Sequence, residues 1–323
     1  MTIRRTLSPT GHVLSALAVF LIALTASSCN VVRWRGNRIE RGLERTGFER
    51  RVEELGAAKI AFWDGGEGPA IVLLHGFGAD AMWQWNSQAE AFATKHRVVI
   101  PDLLWFGGSK PADADYSLTH QVDVVLALMD RLDIATADFV GSSYGGLVEY
   151  ELARTHPERV RRLVISDSPG SIYTRADYDA LCARFGVAEL GDLLVPTDAD
   201  GVRRLLEIGY YDPPWLPRFA LESAYKEMYS EYRAERRALL TWLVENMGAL
   251  GAKPEKPTMP TLLVWGDGDE VFPIAIAERL AAHLGPETKT LIIEKARHSP
   301  NLEYPDEFNA AVLDFLAQDE PRV

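Results

Sequence analysis

Residues 139–146 read FVGSSYGG, and this segment carries the strongest indication of the fold. It combines the end of an apolar strand, a tight turn that carries a serine, and the start of a helix. The spacing Gly141-x-Ser143-x-Gly145 fits a nucleophile elbow, a strained strand-to-helix turn that exposes one serine hydroxyl in a pocket. Because strand and helix approach closely at such a turn, glycines suit both flanks. A pattern this short also occurs by chance, so the prediction depends on a base, an acid and an oxyanion hole elsewhere.

Short apolar runs predict eight strands, and they alternate with helical patterns such as Leu118–Leu132 and Tyr144–Arg154. The middle runs are continuous rather than alternating, as expected for strands that are buried on both faces. Only Gly56 and Ala57 separate the first two runs, which indicates a hairpin. The sequence therefore predicts an α/β fold, with a mostly parallel eight-stranded sheet and helices on both faces. The predicted strands are Val52–Leu55, Ile60–Trp63, Ala70–Leu74, Arg97–Ile100, Phe139–Val140, Leu163–Ser166, Leu262–Trp265 and Leu291–Glu294.

The alternation of strand and helix stops between about residues 171 and 257. This part is rich in helical patterns and aromatic side chains, and it ends in a Pro- and Lys-containing linker. We interpret 171–257 as an inserted helical cap over the carboxyl ends of the strands, where open α/β sheets form their pockets. Residues 51–170 and 258–323 then form the core domain.

The N-terminal residues 1–28 have the composition of a secretory signal, with a basic start, an apolar stretch from Val13 to Leu24 and small residues after it. The small residues run into Cys29, as in a bacterial lipobox, which predicts a lipid anchor on that cysteine. Cleavage near Ser28 without lipidation and an uncleaved anchor are the alternatives. Residues 29–50 are rich in arginine and predict a basic tether or solvated helix beside the membrane.

A serine nucleophile needs a base and a carboxylate that orients the base. Of the seven histidines, His298 alone follows directly on the last predicted strand, at its carboxyl end. Asp269 lies in the loop after the preceding strand and can reach His298, whereas Asp267 is expected to hold the turn. The order Ser143, Asp269, His298 is the one that this architecture predicts. Asp167, just after an earlier strand, remains the alternative acid.

An oxyanion hole is predicted from two backbone N–H groups, those of Phe77 and Tyr144. Phe77 lies in the His75-Gly76-Phe77-Gly78 loop after the third strand, and Tyr144 directly follows the nucleophile. We expect His75 to stabilise that loop rather than to take part in catalysis.

These segments together resemble the α/β-hydrolase superfamily, and in particular its lid-bearing serine esterases and lipases. The resemblance covers roughly residues 52–170 and 258–316, and it implies Ser143 as nucleophile, Asp269 as acid, His298 as base, and Phe77 and Tyr144 as oxyanion donors. Trp105 departs from the pattern, since a small residue is usual there, and it either narrows the pocket mouth or packs under the cap. The matching segments are 75–78, 101–109, 141–146, 265–269 and 298–300.

The resemblance implies hydrolysis of carboxylic esters, with short to medium acyl chains or monoacylglycerols, and requires no metal or cofactor. Serine at the elbow argues against the epoxide- and halide-processing relatives, which use aspartate. Carbon–carbon bond hydrolysis of diketones and a catalytically silent, membrane-tethered binding protein remain alternatives. The net charge of −12 argues against nucleic acid as a partner. We expect a small-molecule or lipid ester as substrate and a location in the bacterial cell envelope, anchored in the membrane through Cys29, with periplasmic or secreted protein as the alternative.

Overall fold

The computed structural model describes residues 30–318, except residues 57, 79 and 112. It contains all eight predicted strands, in the predicted order along the chain. The strands are β1 (Glu49–Leu55), β2 (Ala58–Gly65), β3 (Ala70–Leu74), β4 (Arg97–Pro101), β5 (Ala137–Ser142), β6 (Val160–Ser166), β7 (Thr261–Gly266) and β8 (Lys289–Ile293). The helices are α1 (Val31–Arg45), α2 (Ala81–Phe92), α3 (Leu118–Arg131), α4 (Tyr144–Thr155), α5 (Arg175–Phe185), α6 (Leu190–Leu194), α7 (Ala199–Gly209), α8 (Arg218–Ala224), α9 (Arg233–Gly251), α10 (Ile274–Leu284), α11 (Pro300–Glu303) and α12 (Pro305–Leu316).

The strands form one sheet in the order β1-β2-β4-β3-β5-β6-β7-β8. The pairs β1·β2 and β2·β4 are antiparallel, and the remaining five pairs are parallel. The mostly parallel eight-stranded sheet is therefore confirmed, and so is the hairpin between its first two strands. The carboxyl ends of β3, β5, β6, β7 and β8 lie at one edge, where the chemistry of such folds is found.

The sheet is buried on both faces, as its continuous apolar strands predict. In β3, Val72 and Leu74 belong to one apolar core and Ile71 and Leu73 to the other. Helices α3, α4 and α10 pack on the first face, and α2 and α12 pack on the second. Two layers of helices thus cover the sheet and fix its strand ends rigidly.

Helices α5 to α9 lie between β6 and β7, in the part of the chain that we interpreted as a cap. Helix α5 begins with a capping box in which the Thr174 side chain and Asp177 satisfy each other's backbone N–H groups. Between α8 and α9, residues Tyr225–Tyr229 form one turn of π-helix. These elements carry several side chains of the cavity described below.

The described part of the predicted tether or solvated helix is a helix that docks on the inserted helices and the core. Helix α1 packs against α8 of the inserted helices and against α2 of the core. Leu43 and Gly36 on this helix are buried. After it, β1 begins at Glu49 rather than at Val52, because the backbone of Glu49 pairs with Asp64 of β2. Backbone hydrogen bonds to β2 thus extend this edge strand over charged residues, which no apolar pattern marks as part of a strand.

The proposed signal sequence 1–28 and the proposed lipidation site Cys29 lie outside the described residues. Among the residues that are described, no helix is long and apolar enough to cross a membrane. Cys182 is buried in α5 as a free thiol.

Candidate active site

Ser143 lies in the sharp turn between β5 and α4, with φ 52° and ψ −113°. Its backbone N–H donates to the Ser166 carbonyl of β6 at 2.9 Å, which holds the turn against the sheet. A Cβ atom on Gly145 would come within 2.1 Å of the Leu74 carbonyl oxygen. Glycine is therefore required there, because helix α4 and strand β3 lie closer together than any side chain allows. The strained backbone and the close approach are those of a nucleophile elbow.

A continuous chain of hydrogen bonds joins the three side chains that the sequence singled out. His298 Nε2 lies 2.9 Å from Ser143 Oγ, and His298 Nδ1 lies 2.9 Å from Asp269 Oδ2. Asp269 comes from the loop after β7 and His298 from the loop after β8, so neighbouring strand ends bring them together. This geometry suits proton transfer from a serine hydroxyl to an imidazole.

The Asp269 carboxylate is fixed in place by its own hydrogen bonds. Its Oδ1 accepts the backbone N–H groups of Val271 at 2.7 Å and Phe272 at 3.1 Å, which leaves Oδ2 for His298. The Phe272 ring also meets the His298 ring edge-on, at 5.5 Å between centroids. Backbone donors and one aromatic contact therefore orient both acid and base.

Asp167, the alternative acid, lies beside this pair without a direct hydrogen bond to His298 in the structure. Its Oδ1 accepts the Gly266 N–H at 3.0 Å, and its Oδ2 accepts the Ser166 hydroxyl at 2.8 Å. Burial, and secondly the negative charge of Asp269, raise the pKa of Asp167 well above its usual range. Asp167 is thus a buried neighbour that is harder to ionise than an ordinary aspartate, whereas Asp269 hydrogen-bonds the His298 ring.

Two carboxylates and a histidine are also a possible metal-ligand set, and donor atoms of Asp167, Asp269 and His298 all lie within 4.8 Å of one another. These atoms are already occupied by hydrogen bonds, to backbone N–H groups, to Ser166 and to Ser143. The contacts fit a proton-transfer chain better than a metal centre.

Asp267 plays the turn-forming role expected of it. Its Oδ1 accepts the Lys295 N–H at 2.7 Å, which ties the loop after β7 to the loop after β8. The side chain is exposed and makes no contact with His298 among the hydrogen bonds of the described chain. Asp267 therefore fixes the spacing of the two loops that present Asp269 and His298.

The loop after β3 lies against the elbow, as an oxyanion hole requires. A Cβ atom on Gly76 would lie 3.3 Å from Ser143 Cβ, and Phe77 lines the same cavity as Ser143. Tyr144 is the first residue of α4, so its N–H has no acceptor within the helix. The rings of Phe77 and Tyr144 pack edge-to-face, with 5.7 Å between centroids. The residues of the two predicted donors thus both adjoin Ser143, Phe77 through the cavity and Tyr144 through the chain.

His75 stabilises this loop from inside the core. Its Nδ1–H donates to the Gly76 carbonyl at 2.7 Å, and its Nε2 accepts the Leu103 N–H at 3.0 Å. The second bond requires an unprotonated Nε2, so the tautomer is fixed. Burial lowers the pKa of His75 to about 4, which keeps the ring neutral. His75 is a structural residue.

A cavity of about 280 Å³ opens above Ser143 and His298. Its lining is predominantly apolar and, among the described residues, contains no Asp, Glu, Lys or Arg. Leu194, Val202, Leu205, Leu206, Ile208, Leu216, Ala224 and Met228 supply its apolar wall from the inserted helices. A larger groove of about 490 Å³ lies around Pro257 and Glu287, among residues that precede β7 and β8, away from the catalytic edge.

The sequence left the role of one residue of the site undecided and gave no indication of two further contacts. Trp105 is buried under the inserted helices, and its carbonyl accepts the Arg236 Nε–H of α9 at 2.9 Å, so it does not narrow the cavity mouth. Tyr229 donates its hydroxyl to the Gly78 carbonyl at 2.6 Å and so steadies the loop of the oxyanion hole. Val32 of α1 lines the cavity. No local pattern signals the last two contacts, because Tyr229 and Gly78 are 151 positions apart and Val32 lies far along the chain from the other residues that line the cavity.

The matches to known proteins agree with this geometry. The family model of the α/β-hydrolase fold matches residues 69–305. A 2-hydroxymuconate semialdehyde hydrolase of Pseudomonas sp. (strain CF600) is 30% identical over 267 residues, which are 79% of this chain and 89% of that protein. A pimeloyl-[acyl-carrier protein] methyl ester esterase of Aeromonas hydrophila is 28% identical over 269 residues, 78% of this chain and 96% of the esterase.

Among solved structures, a bacterial membrane phospholipase A superposes with a TM-score of 0.69 at 25% identity, over 95% of this chain and 98% of its own. The family model spans well over half of the chain, and the elbow, the strand order and the site geometry agree with it. The chain therefore belongs to the α/β-hydrolase fold family.

Proposed function

We propose that this protein is a serine hydrolase that cleaves carboxylic esters, of short to medium acyl chain length or of the monoacylglycerol type. The observation that carries the proposal is the hydrogen-bonded chain Ser143–His298–Asp269, which opens into an uncharged, apolar cavity. Family membership and the esterase among the curated relatives support hydrolysis.

The geometry supports an acyl-enzyme mechanism. Ser143 Oγ attacks the ester carbonyl carbon while His298 Nε2 takes the hydroxyl proton, and Asp269 stabilises the imidazolium that forms. The N–H groups of Phe77 and Tyr144 stabilise the oxyanion. Collapse of the tetrahedral intermediate breaks the bond to the alcohol, which leaves with the proton from His298. Water, deprotonated by the same ring, then releases the carboxylic acid and restores Ser143.

The cavity favours a neutral substrate with an apolar acyl group. Its volume is near the lower end of the usual range for small-molecule pockets, about 300–1,000 Å³. Aliphatic side chains of the inserted helices cover the space next to Ser143, where the acyl chain of an ester would lie. Both properties agree with short to medium acyl chains.

Carbon–carbon bond hydrolysis is the second candidate, because the relative at 30% identity is a 2-hydroxymuconate semialdehyde hydrolase. A muconate-type substrate carries a carboxylate, and burying a carboxylate without a cation or matched donors is strongly unfavourable. No lysine or arginine lines the described cavity. The cavity therefore favours the ester over the anionic diketone.

We also propose that the enzyme is held at the bacterial cell envelope by a lipid on Cys29. The sequence of residues 1–29 supports this location, and so does the likeness to a membrane phospholipase A over 95% of the chain. Mass spectrometry of the N-terminal peptide from membranes tests it. An unmodified Cys29 at the mature N-terminus would contradict lipidation.

Turnover of p-nitrophenyl esters of increasing chain length, with fluorophosphonate labelling alongside, tests the activity. Wild type should cleave the shorter esters and be labelled, and Ser143→Ala should lose both. Ser142→Ala is the matched control from the same turn, and it should retain the label. Labelling that survives Ser143→Ala, or turnover of 2-hydroxymuconate semialdehyde with no turnover of any ester, would contradict the proposal.

A further inference from the structure

Helix α1 forms part of the wall of the catalytic cavity. Val32 lines the cavity together with Leu216 and Met228 of the inserted helices. The start of the helix is fixed to the same helices. The Val32 N–H and the Asn30 side chain both bond to Ser223, and Arg33 forms an ion pair with Glu227. These bonds therefore fix the N-terminal end of the described chain beside the cavity mouth.

Exposed apolar side chains concentrate around this mouth. Most large apolar side chains that are exposed in the described chain lie either on α1 or in the segment 211–219, and five of them form what we call the rim. Trp215 is 80% exposed, Trp34 58% and Phe219 53%. The rim consists of Val31, Trp34, Tyr211, Trp215 and Phe219.

The rim adjoins the cavity through its neighbours in the chain. Val31 precedes the cavity residue Val32, Tyr211 follows Tyr210, and Trp215 precedes Leu216. Trp34 lies one turn after Val31 on the same face of α1, and Phe219 lies on α8, against which α1 packs. An exposed apolar surface that surrounds a pocket marks a site of interaction.

The charge around the rim differs from that of the rest of the chain. The chain as a whole has a net charge of −12, whereas α1 carries five arginines and two glutamates. The Arg38 guanidinium lies over the Trp34 ring, 6.0 Å from its centroid. Tryptophan and arginine together suit the boundary between acyl chains and anionic headgroups.

The chain that precedes the rim is too short to hold it away from a membrane. The apolar stretch Val13–Leu24 ends six positions before Asn30, and six residues span at most about 22 Å when fully extended. Lipidated Cys29 would be directly adjacent to Asn30. A lipid anchor and an uncleaved apolar segment therefore both bring the cavity mouth close to the bilayer surface.

We propose that the rim inserts into the surface of a lipid bilayer that contains anionic lipid, and that the hydrolase takes a membrane-dissolved ester directly from that bilayer into its cavity. This deepens the proposed function, and it depends on that function only for the identity of the bond that is cleaved. The arginines of α1 bind headgroups, and the rim aromatics reach the acyl region.

Quenching of tryptophan fluorescence by lipids with brominated acyl chains tests insertion independently of activity. The full-length protein is reconstituted into phosphatidylcholine vesicles with and without phosphatidylglycerol. The expected result is strong quenching in wild type, greater with phosphatidylglycerol, and loss of most of it in Trp34→Phe/Trp215→Phe. Equal quenching in wild type and the double variant would overturn the proposal. Concentration-dependent dimers with no quenching would instead assign the rim to a second copy of the chain.

Activity on two physical forms of substrate gives the second measurement. Trp215→Ser/Phe219→Ser should cleave a vesicle-embedded monoacylglycerol at least tenfold more slowly than wild type, with turnover of soluble p-nitrophenyl butyrate within threefold. The matched control is Val52→Ser, a change of an exposed apolar residue on β1 that should alter neither rate. Equal loss on both substrates, or on neither, would contradict uptake from the bilayer. If wild type cleaves neither ester, the proposed function fails, and the quenching result still decides insertion.

Discussion

Replacing Asp269 by asparagine should inactivate the enzyme almost completely, whereas the same change at Asp167 should not. The two carboxyl groups are neighbours, and both follow strands of the same sheet edge. Only Asp269 contacts the base, through His298 Nδ1 at 2.9 Å. The comparison therefore separates the acid of the proton-transfer chain from its buried neighbour.

The magnitude for Asp269→Asn follows from the hydrogen bonds. The amide oxygen would keep the two backbone donors, Val271 and Phe272, and the amide NH₂ would then face His298. An NH₂ donor forces His298 Nδ1 to accept, so Nε2 carries the proton and is unable to take one from Ser143. The wrong tautomer in a Ser-His-Asp triad lowers kcat about 10⁴-fold, which corresponds to about 5.5 kcal/mol in the activation barrier.

Asp167→Asn should alter the hydrogen bonds of the site much less than Asp269→Asn does. Burial and the negative charge of Asp269 raise the pKa of the Asp167 carboxyl group well above the usual range, which favours its neutral form. Asparagine is also neutral, and its oxygen would still accept the Gly266 N–H while the Ser166 hydroxyl rotates to accept from the new NH₂. Altering one hydrogen bond costs about 1 kcal/mol, or up to roughly fivefold in rate.

The assay is kcat on a soluble p-nitrophenyl ester together with the rate of fluorophosphonate labelling. Thermal unfolding of both variants shows that each is folded. The ratio of the two kcat values should exceed a thousandfold. A loss in Asp167→Asn as large as that in Asp269→Asn, in folded protein, would refute this account and assign the acid role to Asp167.

Two further predictions concern stability. Gly145→Ala places a methyl group 2.1 Å from the Leu74 carbonyl oxygen and should lower the free energy of unfolding by about 1–3 kcal/mol. The control is Gly248→Ala, whose methyl group meets nothing within 4 Å and should raise the free energy of unfolding by up to about 1 kcal/mol. Equal shifts of the melting temperature in the two variants would contradict the close approach at the elbow. Burial raises the pKa of the Glu149 carboxyl group well above its usual range. As pH rises above about 4.5, the unfolded chain therefore releases this proton while the folded protein still holds it. The free energy of unfolding then falls by up to about 1.4 kcal/mol per pH unit. Glu149→Gln should remove the contribution of this one carboxyl group and so reduce that slope in urea unfolding at a series of pH values, and an unchanged slope would contradict the prediction.

The sequence was sufficient to predict the sheet, since each of its central strands is a continuous apolar run. It was least reliable at β1, where Glu49, Arg50 and Arg51 join the strand through backbone pairing with β2. At α1 it predicted a tether or a solvated helix, and the structure shows a helix that docks through a few residues among its arginines. Such docking depends on contacts with residues nearly 200 positions away.

The order of the candidate catalytic residues along the chain could be predicted from local sequence pattern. The elbow at Ser143, the acid after one strand and the histidine after the next follow from local pattern, because a parallel sheet puts consecutive carboxyl ends at one edge. The three-dimensional packing was needed to see that Asp269 and not Asp167 hydrogen-bonds His298, since both follow such strands and differ only in hydrogen-bond partners and burial. It also decided that α1 closes the cavity wall and carries part of an apolar rim. Packing between distant segments sets these features, and no local spacing encodes them.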